Sequence, residues 1–364
     1  MFMKQLLLHD THLALGASFI DSGDLLLPND YGDPLKEYEA VKKGAGVTDL
    51  SHRGKLRLSG KEYLKFLQGM LTNDVIELQA GRGMYAAILT VKGKMVSDMR
   101  VYRSEDGEND WVLLDLEPGL DVKVGGLLKK FRLSYKADID DVTENLGLFS
   151  VSGPRAHELL NKILGKPLSD MEEYQHTAAQ YGGTEITVVK VRRTTEEGYD
   201  LYVPADASKA LWETLIRDGE QFGLAPVGSE ALNILRIEAG IPIYGVDMDE
   251  DTIPIEAGIW SALSFEKGCY VGQEVIARIK WRGHVNRHLV GFDIQDARVP
   301  RAGDELVSGE RKVGRVTSSA FSPGLHRPLA LGYIRRGYEE PGTKISIKSG
   351  ENLIQEALVS GLPF

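Results

Sequence analysis

KLRLSGKEYLKFLQGML, residues 55–71, reads as a strand, a Ser59-Gly60 turn and an amphipathic helix. Ser59 is placed to cap that helix, and Glu62, three residues on, to complete a capping box. Tyr63, Leu64, Leu67, Met70 and Leu71 fall on one helical face. LGLFSVSGPRAHELLNKIL, residues 146–164, repeats the order: an apolar strand, Ser152-Gly153, then a helix. Here Ser152 is the candidate cap, and Pro154 lies near the first turn, where a missing N–H is harmless. Internal duplication accounts for both segments, although strand–turn–helix units also recur by chance.

Around these units the pattern stays mixed. Residues 84–89 and 95–102, joined by Val91-Lys92-Gly93-Lys94, predict a hairpin, and residues 111–116 a further strand. Residues 185–191 and 199–203 form a similar pair, and a helix covers residues 229–239. From Val285 the texture changes to short strands (289–292, 312–317, 329–334, 344–347 and 355–359) between Gly and Pro turns, the pattern of a small all-β barrel. The expected organisation is α+β over residues 1–284, as two interleaved domains, and a barrel over 285–364.

Composition narrows the function. The chain has 364 residues and a formal net charge of −10, which argues against non-specific binding to nucleic acid or anionic membrane. Its one cysteine, Cys269, excludes a disulfide framework and a Cys-rich zinc or iron–sulfur cage within one chain. That usage fits a reducing cytoplasm. The opening, MFMKQLLLHDTHLALG, breaks at His9-Asp10 after too short an apolar run for a secretory leader. No stretch approaches the ~20 apolar residues of a membrane helix.

Several motifs fail on inspection. Asp247-Met248-Asp249-Glu250-Asp251 alternates acids like a calcium loop, but Thr252 and Gly258 stand where such a loop needs Gly and Glu. His284 and His288 lack the acidic or cysteine neighbours of a zinc site, so no metal is expected. Gly81-Arg82-Gly83 precedes a strand rather than opening a helix, which makes it a turn and not a dinucleotide loop. No phosphate-binding P-loop or serine-hydrolase elbow is present.

One constellation does not fail: Lys267-Gly268-Cys269-Tyr270-Val271-Gly272-Gln273-Glu274, continuing to Arg278 and Arg282-Gly283. Glycines let a backbone approach a ligand or take positive φ. Lys267, Arg278 and Arg282 would favour thiolate at Cys269. The alternative is a small buried core residue, a common fate of free cysteine; the local pattern leaves both open.

This octapeptide resembles the signature of the YgfZ family, KGC-aromatic-x-GQE followed by R-x-x-x-R-G. YgfZ proteins are folate-binding relatives of the glycine cleavage T protein implicated in iron–sulfur cluster maturation or repair. The resemblance to the wider superfamily runs nearly end to end. Residues 47–54 (VTDLSHRG) are similar to the T-protein DVSHMGE segment, and residues 66–75 (FLQGMLTNDV) to its LxxLLTNDV. Tyr85 and Val96-Ser97-Asp98-Met99 fall where the T protein has its active-site tyrosine and IDDL; Glu197-Gly198-Tyr199-Asp200-Leu201 resembles DGFEL. Residues 235–239, 244–250 and 254–256 resemble RLEA, YGxDMDE and PxE, and residues 313–333 resemble the T-protein barrel.

The resemblance implies a three-domain aminomethyltransferase-like fold around a central hole holding tetrahydrofolate or a one-carbon derivative of it. It implies that Asp98 lies beside the reactive nitrogen edge of the folate, that Asp200 receives pterin N–H donors, and that Tyr85 lines the cavity. Two departures stand out. Arg192-Arg193-Thr194-Thr195-Glu196 replaces a Gly-Tyr-Thr-Gly stretch with a folate-contacting tyrosine, and residues 228–233 lack an arginine. With Cys269, these favour a YgfZ-type accessory factor whose partner is an iron–sulfur protein or assembly factor. The alternative is an aminomethyltransferase that moves a one-carbon unit from an aminomethyl-lipoyl carrier protein to tetrahydrofolate. A non-catalytic folate-binding module is the third reading.

Overall fold

A computed structural model describes residues 4–104, 110–350 and 353–364. Residues 1–3, which open the segment weighed above as a leader, lie outside the described residues. The chain divides into two units: Met1–Tyr63 with Glu77–Met84 and Met99–Asn233, and Leu64–Ile76 with Tyr85–Asp98 and Ile234–Phe364.

The duplication is visible in the strand order. Strand Gly54–Ser59 and helix Tyr63–Met70 are followed by strands Gly83–Leu89, Met95–Arg103 and Trp111–Leu116. These three form a meander, and Gly54–Ser59 adds beside the last of them. Strand Leu146–Ser152 and helix Ala156–Leu164 are followed by His176–Tyr181, Thr184–Lys190 and Gly198–Pro204, again a meander with Leu146–Ser152 beside its last strand. Both turns place glycine at positive φ, +103° at Gly60 and +134° at Gly153. A Cβ at Gly60 would lie 2.7 Å from the Lys136 carbonyl oxygen, and one at Gly153 2.5 Å from that of Gly44. The glycine of each Ser-Gly pair is therefore a steric requirement of its turn.

The capping box expected at Ser59 and Glu62 does not form. The Glu62 carboxylate accepts from the Lys136 backbone N–H at 3.0 Å, and the helix starts at Tyr63. Ser152 likewise caps nothing, since the helix at Ala156 has no side-chain cap bond. A neighbouring chain segment won the competition for Glu62 over the local bond.

In the first unit, helices Ala156–Leu164 and Ala205–Gly219 cover one face of a six-stranded sheet, burying Leu159, Leu160, Trp212 and Leu215 against Val47, Phe149, Val151 and Leu201. On that sheet's other face Leu148, Val189 and Tyr202 pack with Tyr102 and Leu113.

In the second unit, Arg287–Ile294, Arg327–Arg335, Arg311–Ser322, Glu305–Ser308, Lys344–Ser349 and Leu353–Ser360 close in that order into a barrel. Closure leaves no open sheet edge. Strand Arg327–Arg335 is buried on both faces. Ala330 and Ile334 fill the barrel, while Leu329, Leu331 and Tyr333 pack on Ile237 outside it. Among the described residues no helix is long and apolar enough to cross a membrane.

The acid run at residues 247–251 has a structural use that explains why it is no calcium loop. The buried Asp247 carboxylate accepts from Arg236 Nη1 (2.6 Å), Ile243 N (3.1 Å), Thr317 Oγ1 (2.6 Å) and Ser318 Oγ (2.6 Å). It joins the segment before the barrel to the barrel wall. Asp247→Ala strands a buried guanidinium and should cost about 3–5 kcal/mol in equilibrium urea unfolding; a change within ~0.5 kcal/mol would contradict this role.

Candidate functional site

Tyr85 and Asp98 lie on the two strands of the predicted hairpin, inside the second unit. The Tyr85 hydroxyl donates to Asp98 Oδ2 at 2.5 Å. Asp98 is buried and Tyr85 half-buried. A carboxylate so placed is acceptor-only, oriented by a phenol, and shielded enough for its charge to act strongly on a nearby cation.

Their support comes from the KGC motif by a route that sequence did not reveal. Lys267 is buried, and its ammonium donates to the carbonyl oxygens of Gln68, Leu71 and Asn73, each at 2.8 Å. These carbonyls lie in and just beyond the C-terminal turn of helix Tyr63–Met70, where orphan acceptors favour a cation. Asn73 Nδ2 donates to the Tyr85 carbonyl oxygen at 2.9 Å. Thr72 Oγ1 accepts from Ala87 N at 2.8 Å and donates to the Ala262 oxygen at 2.6 Å. The loop that carries Thr72 and Asn73 thus fixes the strand bearing Tyr85. Burial pulls the Lys267 pKa down to about 8, opposed by Asp74.

The remaining motif residues build the entry to helix Gln273–Arg282. Gly272 has φ +85°, and a Cβ there would sit 2.6 Å from the Thr90 carbonyl oxygen. Tyr270 is buried in the core of Ala87, Leu89 and Met95. Gly268 is exposed and so is Cys269, which disposes of the packed-core reading of the thiol. The electropositive setting expected around that thiol is corrected in part. The Lys267 ammonium is committed to three carbonyls, and Arg278 faces Glu274 at 3.5 Å. Glu274 and Arg282 are exposed, and Gln273 is half-buried.

Asp200 belongs to the first unit and is not available as the resemblance implies. It is fully buried, and Arg193 Nε donates to both of its oxygens at 3.1 Å. Arg193 Nη2 donates to Asp200 Oδ2 at 2.5 Å and to Asp115 Oδ2 at 3.0 Å. Arg53 Nε donates to Asp115 Oδ1 at 2.6 Å, and Arg53 Nη1 to Glu117 at 2.5 Å. Arg193 comes from the stretch that departs from the T-protein pattern, and it occupies the very carboxylate assigned to the pterin. Beside it the Ser150 and Tyr202 hydroxyls are buried without a hydrogen-bond partner among the described residues. Ser150 is the cross-strand partner of Asp200, and Tyr202 lies two residues along the same strand, so all three share one sheet face.

Nothing in the sequence marked this ion network, because the contacts that join it at Asp115, from Arg53 and Arg193, span 62 and 78 residues of chain. Burial alone would raise the Asp115 pKa, but Arg53, Arg193 and Arg100 outweigh it and hold the carboxyl well below the usual range. Asp115→Asn should cost about 3–5 kcal/mol, because it leaves buried guanidiniums short of charge. A depressed carboxyl contributes above its unfolded pKa of ~3.9 and loses that contribution as pH falls through the folded value. The gap between wild type and Asp115→Asn in urea unfolding should therefore be full near pH 7 and shrink on acidification below about 4. A gap independent of pH would contradict it.

Comparison with known proteins identifies the family. The GCVT N-terminal domain model matches residues 8–267, and the glycine cleavage T-protein C-terminal barrel domain model matches residues 287–364. An aminomethyltransferase of Caldanaerobacter subterraneus subsp. tengcongensis is 31% identical over 346 residues, covering 95% of this chain and 91% of that protein. One from Bacillus subtilis (strain 168) is 31% identical over 359 residues, covering 98% of each. The crystal structure of the glycine cleavage system aminomethyltransferase T from Bartonella henselae superposes with a TM-score of 0.90 at 26% identity, covering 99% of this chain and 98% of that one. The fold is that of the aminomethyltransferases, α+β with a C-terminal six-stranded barrel, and the chain belongs to the glycine cleavage T-protein superfamily.

Proposed function

We propose that this protein is an aminomethyltransferase of the T-protein type, acting in the cytoplasm on tetrahydrofolate and an aminomethyl-lipoyl carrier protein. The observation that carries the reading is the buried Asp98 carboxylate held by the Tyr85 hydroxyl, on a chain aligned over nearly its full length with aminomethyltransferases. Residues 1–284 would form the folate-binding region and 285–364 the barrel. Tetrahydrofolate supplies the nitrogen that accepts the one-carbon unit. Asp98 accepts a hydrogen bond from the folate N–H and stabilises the positive charge that develops as the carbon is transferred. Tyr85 keeps the carboxylate oriented and offers ring surface.

The residues fit folate at Asp98 and depart from the resemblance at Asp200. Arg193 holds the Asp200 carboxylate inside the first unit, and the Ser150 and Tyr202 hydroxyls on the same sheet face are buried there.

The relatives favour aminomethyl transfer over the YgfZ-type role. One observation keeps the iron–sulfur accessory reading in play: Cys269, within KGCYVGQE, is exposed. A turnover assay with aminomethylated lipoyl carrier protein and tetrahydrofolate separates the two. Asp98→Asn should lower kcat by about 10²-fold or more, and Cys269→Ser should leave it unchanged. Absence of turnover in the wild type, together with loss of iron–sulfur enzyme activity in cells carrying Cys269→Ser, would overturn the transferase reading in favour of the accessory one.

A further inference from the structure

A cavity of about 850 Å³ opens where barrel strands Arg287–Ile294 and Arg327–Arg335 meet at one end, lined by His284, Asn286, Arg287, Arg335, Arg336 and Glu339 among others. Its volume lies within the range of small-molecule sites, ~300–1,000 Å³. The chain as a whole is acidic, with a net charge of −10, so three arginines around one cavity are a local reversal of sign.

The strand register makes that reversal costly without a counter-charge. Arg287 and Arg335 are direct partners on adjacent antiparallel strands, and like charges directly opposite disfavour pairing. Arg287 is partly compensated: its Nε and Nη2 each donate to Glu256 Oε2 at 3.1 Å. Its guanidinium also lies 4.6 Å from the centroid of the Tyr333 ring, which fixes the side chain in place. Arg335 and Arg336 are exposed, and among the described residues neither has a carboxylate within ion-pair distance. Glu339, the acid in the lining, is engaged by the Gly337 backbone N–H and lies 3.9 Å from His288 Nε2. Two consecutive arginines thus line the cavity without a carboxylate partner among the described residues, beside a third that is pre-positioned.

We propose that this cavity binds a polyvalent oxyanion, with Arg335 and Arg336 as its main ligands and Arg287 as a fixed cation behind them. Planar guanidiniums match the paired oxygens of carboxylates and phosphates alike, so the shared chemistry is a cluster of such oxygens on one small molecule. The site is independent of the folate reading, because none of its residues takes part in that proposal.

Calorimetric titration with pyrophosphate and with tricarballylate, each at low ionic strength, distinguishes a phosphate source from a carboxylate one. Wild type should bind at least one of the two saturably. The double variant R335A/R336A, altered at exposed positions and checked for an unchanged unfolding midpoint, should bind it at least tenfold more weakly. R335K/R336K should fall between, because charge is kept and the bidentate fork lost. Equal affinities in wild type and R335A/R336A for both anions, or no saturable binding by wild type to either, would overturn the proposal.

Discussion

The ammonium of Lys267 sits on three backbone carbonyls at the end of one helix, and the candidate site hangs from that contact. Three acceptors at 2.8 Å use all three of its donors, so the charge is fully spent inside the fold. The segment it fixes presents Asn73 to the Tyr85 backbone and Thr72 to Ala87, and Tyr85 in turn orients Asp98. A residue 194 to 199 positions away from the carbonyls it holds therefore bears on the geometry of the Asp98 carboxylate through Asn73 and Tyr85. Replacing it would leave buried carbonyls without donors, which costs ~1–3 kcal/mol apiece before any effect on the site.

The rest of the architecture follows from repetition. Two strand–turn–helix–meander units share a strand order, and each needs a glycine where its turn brushes another backbone. The Ser59-Gly60 and Ser152-Gly153 pairs were legible in the sequence for that reason: a local steric rule acts on local residues. The barrel was legible too, because strands bounded by Gly and Pro announce themselves at short range.

What could not be read were the choices made by distant chain segments. Glu62 has the spacing of a capping box, yet the Lys136 backbone takes its carboxylate. Lys267 and Arg278 look like a cationic setting for Cys269, yet the first bonds to carbonyls brought by another helix and the second to Glu274. Asp200 looks like an open acceptor, yet Arg193, seven residues earlier, closes it and extends to Asp115. In each case the residue type was informative about the kind of interaction and silent about the partner. Arg193 turns the Asp200 carboxylate into one end of a fixed internal ion pair.

The proposed transfer requires a reduced folate beside the Asp98 carboxylate. Calorimetric titration of tetrahydrofolate into the folded wild-type protein, with Asp98→Asn beside it, tests this directly. Saturable equimolar binding is expected for the wild type, weakened tenfold or more in the variant. Failure of any reduced folate to bind saturably to the wild type, or equal affinity in the two proteins, would contradict it.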